Sequence, residues 1–160
     1  MSEPLLNLAP RLWCSLLDEL ARRSDGRRES GAFLMSPAAS DGRTVTSVCY
    51  YDDLDTTALR GGLRLGSAAF TRLWDICERD RLKVSADVHT HPWSIVGQSG
   101  IDRANPMISR IGYLALIVPN FGRPPVSLVD VGLHQYLGNK SWQSWFGADV
   151  AGLIHTADVR

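Results

Sequence analysis

Residues 83–91, KVSADVHTH, constrain the fold more than any other stretch of the chain. Side chains on a β-strand alternate between the two faces of a sheet. The spacing predicts a strand with Val84, Ala86 and Val88 on one face and Ser85, Asp87, His89 and His91 on the other. The first face suits an apolar core, and the second carries titratable groups. Pro92 ends the strand, because proline has no N–H to donate to a ladder.

The flanking pattern supplies the rest of the sheet and its helices. Leu12, Trp13, Leu16, Leu17 and Leu20 recur at helical spacing, which predicts a helix over 10–23 that stops at Gly26. ESGAFLM reads as a short buried strand, and TVTSVCYY as a second strand after a turn. Residues 52–66 read as a polar, glycine-rich loop. Phe70, Leu73, Trp74 and Cys77 mark a second helix with Ser67 as its N-cap. A short helix is expected to start at Ser99, and GYLALIVPNF is a central strand. VSLVDV and GLHQYLG suggest a hairpin around Gly132, and KSWQSWF a terminal helical turn. The order α-β-β-α-β-α-β-β-β, without repeats or a linker, indicates a single α+β or α/β domain over residues 1–160.

Composition narrows the function classes. Lys+Arg and Asp+Glu both count 17, so no cationic excess exists to displace phosphate counterions from nucleic acid. The three cysteines, Cys14, Cys49 and Cys77, lie far apart and form no CxxC pair, so they read as reduced, buried thiols. The start lacks a signal-peptide pattern, and YLALIV is too short to cross a bilayer. A cytoplasmic enzyme or binding module is expected, with no nucleic-acid or membrane partner.

His89 and His91 share a strand face and can reach one point in space. Asp102, in a helix starting at Ser99, can fold back over the strand end. Two imidazoles and a carboxylate make a three-ligand set that leaves a fourth tetrahedral position for water, as catalytic zinc sites do. Each part has a plain structural alternative. Two alternating histidines can be a polar strand face, and Ser99 with Asp102 can be a helix capping box.

The complete string is more specific. His89-Thr90-His91, the seven residues PWSIVGQ, Ser99, two residues and Asp102 resemble the signature of the JAMM metalloprotease family, also called JAB or MPN+. ESGAFLMS resembles the upstream element of that family, a glutamate followed by a small, glycine-containing strand, and this assigns Glu29. Ala32 and Ser36 stand where members often have glycine. The resemblance covers most of the chain. It implies a single MPN/JAB domain with a mixed central β-sheet flanked by helices, a cytidine-deaminase-like architecture. It also implies a zinc-dependent isopeptidase or peptidase with one Zn²⁺ on His89, His91 and Asp102. Glu29 would be the general base towards the attacking water, and Ser99 the donor that stabilises the oxyanion.

Family members commonly cut after the C-terminal glycine of a ubiquitin-like protein. The implied partner is such a protein or its conjugate, and the compact chain resembles bacterial members, including those of antiphage operons. Release of an amino acid from a sulfur-carrier protein is an alternative with the same chemistry. A metal-free MPN scaffold is a further alternative, marked by lost ligands, and this chain keeps the set.

Other residues fit less demanding roles. Asp87 is expected to face solvent or a backbone amide, with orientation of a ligand imidazole as the alternative. Trp93 could wall a groove or fill a core. His134 and His155 read as surface or core residues without a ligand role. LRGG, residues 59–62, spells a ubiquitin-like tail, but reads as a connection with positive φ at Gly61 or Gly62. Arg22, Arg23, Arg27 and Arg28 read as a solvated cationic face at a helix end.

Overall fold

The computed structural model describes residues 3–156. In chain order the first half forms β1 (Leu6–Asn7), α1 (Pro10–Ser24), β2 (Gly31–Pro37), β3 (Ser47–Tyr50), α2 (Tyr51–Leu54) and α3 (Ser67–Asp80). The second half forms β4 (Leu82–Thr90), α4 (Gly100–Ala104), β5 (Leu114–Val118), β6 (Gly132–Gly138), β7 (Ser141–Trp145), α5 (Ala148–Leu153) and β8 (Ile154–His155).

Six strands make one mixed sheet in the order β3-β2-β4-β5-β6-β7, and β1 pairs separately with β8. Strand β4 is central, antiparallel to β2 and parallel to β5. Helices flank the sheet, as expected from the sequence, and the described residues form a single domain. Helix α1 begins with Pro10, whose fixed φ suits a first turn, and buries Trp13, Leu16 and Leu20. These pack with Ala32, Leu34, Ala86, Val88, Leu114 and Leu116 on one face of the sheet. On the other face Ala69 and Leu73 of α3 pack with Phe33, Met35, Val84 and Tyr113.

The alternation along β4 holds only over part of its length. Leu34 pairs with Ala86 and Met35 with Val84, so Ser85 is an extra residue in a bulge. The bulge turns Val84 onto the face that carries Asp87, and Ser85 instead meets the Ser36 hydroxyl at 2.8 Å.

The C-terminal half departs further from expectation. VSLVDV contains a 3-10 turn, Leu128–Asp130, rather than a strand. The Asp130 carboxylate accepts from the backbone N–H of Ser127, a local bond that competes with sheet pairing. KSWQSWF is strand β7 and not a helical turn. Its hairpin with β6 turns at Asn139 and Lys140, both at positive φ (52° and 58°), the geometry whose twist suits a two-residue hairpin. Helix α3 is capped by Gly66, with Ser67 inside its first turn.

Residues 52–66 are less open than a polar loop. Tyr51 and Leu54 anchor the short helix α2 in the core, and Ala58 and Leu59 are buried beyond it. In the arginine cluster Arg22 and Arg27 are exposed, as expected, but Arg23 is not. Arg23 meets Glu19, Asp52 and Asp53 within 3.0 Å and lies 4.1 Å from the centre of the Tyr50 ring, tying α1 to α2. Arg22 pairs with Glu19 and Arg27 with Asp25. All three thiols are free, but Cys14 is exposed and only Cys49 is fully buried. No helix among the described residues is long and apolar enough to cross a membrane.

Candidate metal centre

His89 lies one residue before the end of β4, and His91 follows just past it. The His91 N–H continues the ladder by donating to the Val118 carbonyl at 2.8 Å, so both imidazoles project from the same face. Their Nε2 atoms are 3.1 Å apart. Asp102 Oδ2 lies 3.4 Å from His89 Nε2 and 3.3 Å from His91 Nε2. A tetrahedral ion with bonds of about 2.0–2.1 Å holds its ligand atoms about 3.3 Å apart, so the triangle fits one zinc-sized ion.

Local bonds aim these donors. His91 Nδ1 lies 3.0 Å from the Ile95 carbonyl, which can only accept, so Nδ1 carries a hydrogen and Nε2 is the nitrogen that faces the centre and can ligate a metal once deprotonated. Ser99 caps α4 by accepting from the Asp102 N–H at 3.1 Å, while its own N–H donates to Asp102 Oδ2 at 2.9 Å. The capping box and the candidate ligand set are therefore one arrangement. Burial disfavours the charge on Asp102, but bonds from His89, His91 and the Ser99 N–H outweigh it and hold the carboxyl well below its ordinary range. Burial likewise disfavours the His91 imidazolium, yet the bonds to Asp102 and Ile95 raise its pKa.

Two backbone devices hold the histidines. Ser30 and Thr90 are fully buried, and each donates its N–H to the other residue, Ser30 to the Thr90 hydroxyl at 3.0 Å and Thr90 to the Ser30 carbonyl at 2.9 Å. Ser24 completes this hydroxyl cluster, 2.8 Å from Ser30 Oγ. Glu29 is thereby carried beside the two histidines that flank Thr90. On the far side, Asn120, Phe121 and Gly122 run consecutively at positive φ (54°, 56° and 75°). That turn donates N–H groups to the carbonyls of Trp93 and His91. Burial of Phe121 offsets its strained backbone, and the turn ties down the HTHPW segment through these two bonds.

A groove of about 770 Å³ opens over His89 and Asp102. Glu29, Ser99, Asp87 and Gln98 line it, with Gly61–Gly66 as one wall and Phe70, Ile101, Met107 and Trp142 as apolar lining. Gly61 and Gly62 have φ of 65° and 110°, as the loop reading of LRGG expects. Trp93 is neither core nor groove wall, being 71% exposed and outside the groove lining. A second hollow, at Ala38, Cys77 and Leu82, has no comparable cluster.

Asp87 faces neither solvent nor a backbone amide. It is buried on the groove floor beside Ala115, and Tyr113 donates its hydroxyl to Asp87 Oδ2 at 2.9 Å. Burial pushes its carboxyl up to about 6. The nearby Tyr51 hydroxyl is buried without a partner among the described residues. Its ring lies so close to Gly31 that a Cβ there would meet it at 2.3 Å. His155 is exposed, whereas His134 is buried with both ring nitrogens engaged. Sequence reasoning missed Ser24, Ser30 and Tyr51, because Thr90 lies 60 residues or more from both serines and Tyr51 reaches Gly31 only through the fold.

No family model matches the chain. Solved structures do resemble it. A protein from Desulfitobacterium hafniense, solved in solution, matches with TM-score 0.60 and 16% identity over 88% of this chain and 90% of that one. Another solution structure, of a protein from Salinibacter ruber, matches with TM-score 0.59 and 18% identity over 88% of each chain. A JAB1/MPN domain protein from Archaeoglobus fulgidus matches with TM-score 0.45 and 16% identity over 86% of this chain and 93% of that one. At these identities the first two show a shared fold alone.

Proposed function

We propose that this chain is a metal-dependent amide hydrolase of the JAMM type, cutting after the C-terminal glycine of a ubiquitin-like protein. The observation that carries the reading is the convergence of His89, His91 and Asp102 on one zinc-sized point in a groove that Glu29 and Ser99 also line. His89, His91 and Asp102 would hold the metal, and a Zn²⁺ there would supply Lewis acidity and bring the pKa of a water to about 7. Glu29 accepts a proton from the attacking water and returns it to the leaving amine. The Ser99 oxygen accepts from the Asp102 N–H, which leaves its hydrogen free to donate to the substrate carbonyl as negative charge develops. One such donor is worth about 3–4 kcal/mol in a transition state.

The groove supports an extended, small-residue tail as the bound segment. Its Gly61–Gly66 wall leaves space beside the centre, and Phe70, Leu63, Leu65 and Met107 offer apolar contacts to the residues before the glycines. The test is a panel of ubiquitin-like fusions incubated with the zinc-loaded chain, read by mass spectrometry. Cleavage after the glycine is expected from the wild type, and none from His89→Ala, Glu29→Ala or chelated protein. Glu29→Ala should still hold zinc. Intact fusions throughout, or normal cleavage by Glu29→Ala, would remove the reading.

A further inference from the structure

We infer that His134 is a positioning residue for the metal centre, acting through the backbone of the loop that links His91 to Ser99. His134 sits on β6, and only 1% of it is exposed. Its Nε2 lies 3.0 Å from the Val96 carbonyl, which can only accept, so Nε2 carries the hydrogen. Its Nδ1 therefore accepts the hydroxyl hydrogen of Ser144, across the β6–β7 pair at 2.6 Å. Burial lowers the pKa of this imidazole, which keeps it in that neutral form.

The carbonyl next to Val96 in the chain belongs to Ile95, and it receives the Nδ1 hydrogen of His91. One short backbone segment thus links two imidazoles. Ser144 sets the tautomer of His134, His134 holds Val96, and Ile95 sets the tautomer of His91. Gly132 completes the seat. It shares the face of β6 with His134, and a Cβ at that position would lie 2.1 Å from the Val96 carbonyl oxygen. Only glycine admits the loop so close to the strand. The side chains of Trp93 and Ile95, both 71% exposed, do not anchor it. The Trp93 carbonyl is tied to Asn120, but Ile95 is located by its neighbour Val96.

This inference rests on the metal reading above, and its test separates the two. Zinc affinity and the ¹⁵N spectrum of His91 are measured on the full chain. His134→Ala is expected to weaken zinc binding by about tenfold or more, the usual scale for groups that orient a ligand. His134→Gln, whose side-chain amide can still donate to Val96, is expected to stay within about threefold of the wild type. Leu133→Ala empties a buried site on the opposite face of β6 and serves as the stability control. It should lower Tm without changing zinc affinity. In metal-free protein, at an alkaline pH where the ring is neutral, His91 should show the Nδ1–H form in the wild type and a mixture of tautomers in His134→Ala. That spectrum needs no zinc, so a wild type that binds no metal would defeat the metal reading while the positioning role is still tested. A His134→Ala chain with an unchanged His91 tautomer, and zinc affinity equal to that of Leu133→Ala, would overturn the inference.

Discussion

The two faces of β4 answer to different demands. Ala86 and Val88 lie in an unbroken apolar layer with Leu34, Leu114 and Leu116 beneath α1. Asp87 and His89 alternate with them and face the groove, where Asp87 accepts from a neutral tyrosine hydroxyl and makes no ion pair with a lysine or arginine among the described residues. Burying apolar area stabilises a fold by about 25 cal/mol per Å², whereas an unpaired buried charge costs free energy. The pleat of one strand thus separates the groups that hold the fold together from the groups that burden it and can bind a ligand. Substitutions on the two faces should therefore give opposite signatures.

The largest effect is expected at the groove face. His89→Ala should abolish metal binding and hydrolysis while shifting Tm little, as read by metal content, turnover and thermal melting. A large loss of Tm would blur the division. Leu116→Ala, on the apolar face, should cost about 2–5 kcal/mol in urea denaturation through transfer loss and a cavity. Zinc affinity of the folded fraction should not change.

Asp87→Asn sharpens the contrast, because removing a groove-face charge should stabilise the metal-free chain. The folded carboxyl, pushed up to about 6 by burial, lies above its unfolded value, so ionisation opposes folding at neutral and alkaline pH. The gain should approach about 3 kcal/mol above pH 6, at about 1.4 kcal/mol per pKa unit, and vanish below about pH 4 where both states are protonated. Equal stability of the two chains at pH 8 would contradict it. The smallest effect lies away from both faces. Bonds from Arg22 and Arg23 hold Glu19 down to about 2, so its contribution is full above its unfolded pKa and lost as pH falls towards 2. Glu19 is partly solvated, so Glu19→Gln should cost less than about 1 kcal/mol near neutrality, and progressively less as pH falls through about 2.

The candidate ligand set was legible because its geometry is local. Two histidines at strand spacing and a capping box four residues long need only the strand period and the helix turn. Helix α1, helix α3 and strands β2 and β4 were legible for the same reason. The KSWQSWF strand was not, since two tryptophans three apart satisfy a helical spacing until β6 pairs with them. The Tyr51–Leu54 helix was hidden because its stability comes from Tyr51 in the core and from Arg23 on another element. The bulge at Ser85 left no mark in the alternation of residue types.

By itself the sequence determined which side chains could share a point in space, since period-2 strands and short helical turns depend on neighbours only a few residues away. Tertiary structure alone decided what surrounds that point. Thr90 meets Ser24 across 66 residues, and His134 meets Val96 across 38. Asp87 becomes buried only because Tyr113 and the groove walls close around it. Such contacts depend on how layers stack and which strands pair, and desolvation is a property of the assembled surroundings rather than of any residue type.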